Sequence, residues 1–169
     1  ARAVAPVYLL NRIGAGDTPI RVFWFQSNYN RRGPEDHKSE AEQHNLWNYK
    51  RPSPAVAAYA AMTHFLEDGE LQVDLFVTSR RGWALHFLKP DGTSVVAVWP
   101  ETIWPAVDQR TADLHRSRWS FPKLDFAVCD YFGRPVGTRA GDRLKVVMPT
   151  RGVHYFVSRR PPAEVRRAF

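Results

Sequence analysis

The chain has 169 residues, 44% of them hydrophobic and 13% aromatic, with 24 Lys and Arg against 17 Asp and Glu for a net charge of +7. That apolar content builds a core, which excludes a disordered chain, and no stretch approaches the length of a membrane span. The basic residues fall as scattered pairs in or beside loops (Arg31-Arg32, Lys50-Arg51, Arg80-Arg81, Arg159-Arg160, Arg166-Arg167), with no recognition-helix pattern or zinc-finger spacing, so nucleic-acid binding is disfavoured.

The opening segment VAPVYLLNRIGAG has helical spacing, with Val4, Val7, Tyr8 and Leu10 near one face and Gly14 and Gly16 as stop signals. IRVFWFQ follows as a short, nearly continuous apolar run, the pattern of a strand buried on both faces in a parallel sheet. Residues 27 to 49 are polar and irregular, long for a simple connection. A helix then begins near Pro54, with Ser53 placed to cap it and Gly69 to end it. Its spacing puts Val56, Tyr59, Ala60, Thr63 and Leu66 or Phe65 on the inward side.

After Gly69 the period changes to two. Leu71, Val73 and Leu75 alternate with polar partners, then Trp83, Leu85 and Phe87, then Val95, Ala97 and Trp99. Between the last two runs, Lys89-Pro90-Asp91-Gly92-Thr93 is a turn in which Pro90 presets φ and Gly92 supplies a positive φ. Further strands are expected around Thr111 to His115, Leu124 to Cys129, Leu144 to Met148 and His154 to Ser158. About seven short strands in about a hundred residues predict an antiparallel sandwich. The expected fold is therefore mainly β: an antiparallel β-sandwich over residues 70–169, preceded over residues 1–69 by the last βα unit of an α/β barrel (helix, strand, loop, helix).

A parallel strand at Arg21 to Phe25 needs neighbours on both sides, and those come from additional βα units. The later strands have antiparallel patterning and cannot supply them. The expectation is a fragment, a processed product or one subunit of a composite fold, with the rest of the barrel as partner.

The order of these segments resembles the C-terminal portion of (β/α)8-barrel glycoside hydrolases of the large retaining clan that carry a C-terminal β-sandwich. Val22-Phe23-Trp24-Phe25 looks like the aromatic end of their last barrel strand. Glu42 and Asn45 to Trp47 are similar to a following acidic and "NFGL"-like patch, and Ser53 to Tyr59 to a "KPAYYAL" segment. Trp83 to Phe87, Asp91-Gly92 and Val95 to Trp99 look like the start of the sandwich. Asp130-Tyr131-Phe132-Gly133-Arg134-Pro135-Val136 resembles "DMFGNPV", and Val153 to Phe156 a "PVYL" ending. Arg134 departs from the usual Asn, and Gly152-Val153 stands where a Pro is usual. The segment from Glu101 to Phe121 has no counterpart in the resemblance.

The resemblance implies a carbohydrate substrate, no cofactor and a part in hydrolysing O-glycosidic bonds. Retaining glycosidases use two carboxylates about 5 Å apart, and in this clan they lie on earlier barrel strands. No catalytic residue is therefore expected in this chain, nor activity from it alone. Barrel sites form at the C-terminal ends of strands, which makes Trp24 the candidate sugar platform, with barrel core as its competing role. Gln26, Asn28 and Tyr29 are candidates to bind hydroxyls, and Trp47 to line a subsite. Asp36, His37, Glu40 and His44 follow no recognised zinc spacing and read as solvated loop, so no metal is expected. His64, His86 and His154 sit among apolar residues as structural groups, and Cys129, in LDFAVCDYF, as a small buried hydrophobe. The alternative is a non-catalytic sandwich module binding carbohydrate or a partner, which exposure of Trp104 or Trp119 favours.

Overall fold

The computed structural model describes residue 9 and residues 28–29, 47–48, 51–52, 54–77, 82–100, 116–121, 126–149 and 152–169. Two-residue strands β1 (Asn28–Tyr29), β2 (Trp47–Asn48) and β3 (Arg51–Pro52) form a small sheet in that order. Helix α1 (Pro54–Leu66) follows. Strands β4 (Glu70–Val77), β5 (Gly82–Leu88), β6 (Ser94–Pro100), β8 (Ala127–Cys129) and β11 (His154–Ser158) make a five-stranded antiparallel sheet ordered β4-β5-β6-β11-β8. Strands β7 (Arg116–Phe121), β9 (Thr138–Ala140) and β10 (Arg143–Pro149) make a second, three-stranded sheet with β10 in the middle. A short helix α2 (Pro162–Arg167) closes the chain. The mainly β, antiparallel expectation holds.

Alternation along β5 and β6 places side chains on two different cores. Ala84, Val96, Val98, Val128 and Phe156 meet Trp119, Phe121 and Val146 of the smaller sheet, together with Phe126, Val165 and Phe169. On the other face, Leu85, Phe87, Val95, Ala97, Trp99 and Tyr155 pack with Ala61, Met62 and Leu9, bordered by Phe65 and Leu66. All five residues from Val95 to Trp99 are at most 1% exposed. The architecture is thus three layers: helix, five-stranded sheet, three-stranded sheet. Leu9 is helical, and the rest of the expected opening helix lies outside the described residues, as do the strand at Arg21 to Phe25, the Ser53 cap and the strand at Thr111 to His115.

The inward face of α1 differs from the expected one. Ala55, Ala58, Ala61 and Met62 are buried, whereas Tyr59 is 39% exposed and Ala60 and Thr63 face out. The helix is apolar around most of its circumference, so periodicity did not single out a stripe. Small alanines let the helix sit close to the sheet, and the Phe65 ring stacks on Tyr155 with centroids 4.6 Å apart. The helix ends at Leu66, and Asp68 in the turn after it takes the left-handed conformation (φ 59). Gly69 serves a different need from the expected one, because a Cβ there meets Leu66 O at 3.1 Å and Phe87 Cβ at 3.2 Å. Lys89 Nζ, from the turn after β5, donates to the His64 carbonyl at 3.0 Å. That satisfies a C-terminal carbonyl and complements the helix dipole.

The β5–β6 turn forms as its residues require. Gly92 has φ 80, its N–H reaches the Lys89 carbonyl at 2.9 Å, and Asp91 Oδ1 accepts the Thr93 N–H at 2.9 Å. Between the two sheets, Phe169 lies against Phe156, Phe121 and Phe126 with centroids 5.1, 5.2 and 5.7 Å apart. Removing a buried aromatic ring costs about 3–5 kcal/mol. Phe169→Ala should therefore lower the stability measured by urea unfolding on that scale, and a change below about 1 kcal/mol would show that the ring is not part of the core.

Candidate functional site

Three of the five expected sugar-facing residues fall in the small sheet. β1 runs parallel to β2, with Asn28 opposite Trp47 and Tyr29 opposite Asn48. β2 then pairs antiparallel with β3, Trp47 opposite Pro52 and Asn48 opposite Arg51. The backbone thus brings Asn28, Tyr29 and Trp47 together across a long intervening segment, in a sheet that ends two residues before α1 begins. Parallel pairing requires a crossover connection rather than a hairpin, and the long polar stretch after Ser27 provides that length. Trp24 and Gln26 lie outside the described residues, as do Asp36, His37, Glu40 and His44. Among the described residues no group of His, Cys, Asp and Glu is arranged to hold a metal ion.

A second polar centre lies where β8 ends and β11 begins. Asp130 is 5% exposed, the one buried carboxylate among the described residues. Its Oδ1 accepts the N–H groups of Phe132 and Arg134 at 2.9 and 3.0 Å. Its Oδ2 accepts Nε and Nη2 of Arg134 at 2.8 and 2.6 Å. Both oxygens are therefore engaged in closing the turn Asp130–Val136, leaving the carboxylate as a structural hub. The Arg134 guanidinium, beside the Asp130 carboxylate, is raised above its usual range and lies 5.0 Å from the Phe132 ring centroid. Here the departure from Asn acquires a function: Arg134 neutralises the buried charge while its own side chain stays 69% exposed.

The turn docks on neighbours at close range. Gly133 (φ 79) sits where a Cβ touches Ala61 Cβ at 3.5 Å, so the loop rests on α1. At Gly152, where φ is 121, a Cβ would stand only 2.7 Å from Tyr131 Cδ1. Neither a proline nor any side chain fits there, which accounts for the second departure from the resembled family.

The histidines divide by environment. His154 and His86 are buried, as expected, but His64 lies on the exposed side of α1, edge-on to Phe65 at 5.1 Å. His86 Nε2 lies 3.0 Å from Ser94 Oγ, and burial, then the nearby Arg166 charge, lowers its pKa. Burial pushes His154 down to about 4, opposed by the Asp130 charge and the Gly152 backbone. Burial raises the pKa of the Tyr155 hydroxyl, and among the described residues neither that hydroxyl nor the Trp99 Nε1 has a hydrogen-bond partner. Cys129 is half-buried, its thiol pushed up by burial and by Asp130, which disfavours a nucleophilic thiolate. Trp119 is 3% exposed and packs inside the sandwich; Trp104 lies outside the described residues. No described helix is long and apolar enough to cross a membrane.

Neither a family model nor a curated protein matches this chain. A solved structure of a family 39 glycoside hydrolase from the gut symbiont Bacteroides cellulosilyticus WH2 does, with a TM-score of 0.57 and 15% identity. The match covers 93% of this chain and 30% of that chain. The two share a fold over that span. The matched span is less than a third of that hydrolase's own length.

The buried histidine has a measurable consequence. The fold holds His154 neutral, whereas the unfolded chain takes up a proton below the ordinary value of 6.5. Its contribution is complete above that pH and is lost as pH falls from 6.5 towards about 4, a loss of about 3 kcal/mol. Urea unfolding should show a steeper fall between those pH values for the native chain than for His154→Gln. Parallel slopes would mean that His154 titrates normally.

Proposed function

We propose that this chain is the C-terminal part of a glycoside hydrolase, acting on O-glycosidic bonds together with a polypeptide that carries the remaining barrel strands. The observation that carries the reading is the fold match to a family 39 glycoside hydrolase, which extends over 93% of this chain and so runs beyond the sandwich into the preceding segment. The parallel pairing of β1 with β2 supports it, since parallel strands belong to βα units and these two precede a helix. In this reading the sandwich buttresses α1, and the strand ends before α1 form part of the sugar site.

Trp24 serves as the ring on which a sugar face stacks, Gln26, Asn28 and Tyr29 bind hydroxyls, and Trp47 lines a subsite. The two carboxylates that perform the displacement come from the rest of the barrel, one as nucleophile and one as acid and base. The alternative reading is a sandwich that binds carbohydrate through exposed tryptophans; of its two candidates Trp119 is buried, and Trp104 lies outside the described residues.

The test is copurification from the native source followed by assay on a panel of neutral aryl glycosides. A second polypeptide bearing the barrel carboxylates is expected, with turnover by the assembly and none by the isolated chain. Within that assembly, Trp24→Ala should lower kcat/KM about tenfold or more, equivalent to about 1.4 kcal/mol of transition-state binding. Turnover unchanged by Trp24→Ala removes that residue from the site; a monodisperse 19.4 kDa chain without a partner removes the composite assembly.

A further inference from the structure

The smaller sheet carries a charge asymmetry that the hydrolase reading leaves unused. Its three strands contain five Lys or Arg and no Asp or Glu. The five-stranded sheet has only Glu70 and Asp74 as charged residues. Pairing fixes where these cations stand. Val146 faces Trp119 and both are buried in the sandwich, so the alternate positions face outward. Those are Arg118, opposite Val147, and Arg143 and Lys145 on β10.

All three cations are exposed, and Val147 among them is 49% exposed. Residues two apart on a strand lie about 7 Å from each other, and diagonal cross-strand neighbours about 7–8 Å. The three charges therefore share one patch. Arg143 is also held in place: its Nε donates to Ser120 Oγ at 2.7 Å and its Nη2 to the Ser120 carbonyl at 3.3 Å. Its remaining N–H groups are thereby oriented before any ligand arrives, the arrangement that suits a carboxylate or sulfate.

We propose that this outer face, built on Arg118, Arg143 and Lys145 around Val147, binds an acidic polysaccharide. The choice of a glycan over other polyanions rests on the hydrolase reading above and on what the face lacks. Single-stranded nucleic acid is gripped by aromatic rings that stack on bases. The exposed large hydrophobic residues among the described ones are Tyr59, on α1, and Val147, so this face has no such ring. A lipid surface takes a broad apolar face, and here Val147 stands alone among cations. A hydroxyl-rich chain carrying carboxylates or sulfates matches a sheet face with spaced cations.

The experiment measures binding of the full chain to heparin and to polygalacturonate, with neutral dextran and a single-stranded oligonucleotide as comparisons, at low and physiological salt. Binding to at least one acidic glycan, weakening as salt rises, is expected. Arg118→Glu combined with Lys145→Glu should weaken it about tenfold or more, while Arg159→Glu with Arg167→Glu, an equal charge change elsewhere, stays within about twofold. Circular dichroism checks that both variants are folded. The proposal is overturned if the native chain binds neither glycan, if both variants lose affinity equally, or if the oligonucleotide binds more tightly than either glycan. Failure of the hydrolase reading shows separately, as absent turnover of neutral aryl glycosides by the assembly.

Discussion

Strands β5, β6 and β11 are apolar on both faces, and the rest of the fold follows from the need to cover both. A sheet with two apolar faces cannot stand in water on either side. The three-stranded sheet covers one face with Trp119, Phe121 and Val146, and Phe169 seals the rim. Helix α1 covers the other with Ala61 and Met62. Helix α1 is therefore bound to the five-stranded sheet through a shared core, and the turn at Asp130 adds a second attachment through Gly133.

Polar groups near this core are placed where they can be answered. Asp130 is surrounded by backbone N–H groups and one guanidinium, His86 has Ser94, and Ser158 Oγ accepts the Arg160 N–H at 3.1 Å. The Trp99 and Tyr155 side chains are exceptions, trading an unpartnered donor for the packing of a large ring. A buried unpartnered polar group costs about 1–3 kcal/mol, and the rings around these two offset it through buried area.

Much of this was legible in the chain. The alternation from Trp83 to Trp99 and the turn between its halves marked the central hairpin, because burial of alternate residues and a proline-glycine turn are local signals. The inward face of α1 was not legible, since Val56, Tyr59 and the alanines satisfy several stripes equally and only the sheet decides among them. β7 was not legible because its only apolar residues, Trp119 and Phe121, are too few to set a period in a strand otherwise made of Arg and Ser, and β9 is only three residues long. The pairing of Asn28 with Trp47 depends on a crossover of many residues, a non-local fact that no window of sequence contains. The role of Gly152 emerges only in three dimensions, since it answers the Tyr131 ring, close in space but far along the chain; that of Arg134 depends on the burial of Asp130, which its nearness in sequence does not reveal.

The close approach at Gly69 bears on cooperativity. A Cβ at Gly69 would crowd the Leu66 carbonyl and Phe87 where the chain leaves α1 for the sheet, and Lys89 reaches back to hold the His64 carbonyl. Because α1 and the sheet share one core, exposing either strips apolar cover from the other. The change of pattern at residue 69, which divides the sequence into two styles, therefore falls beside a continuous packed interior.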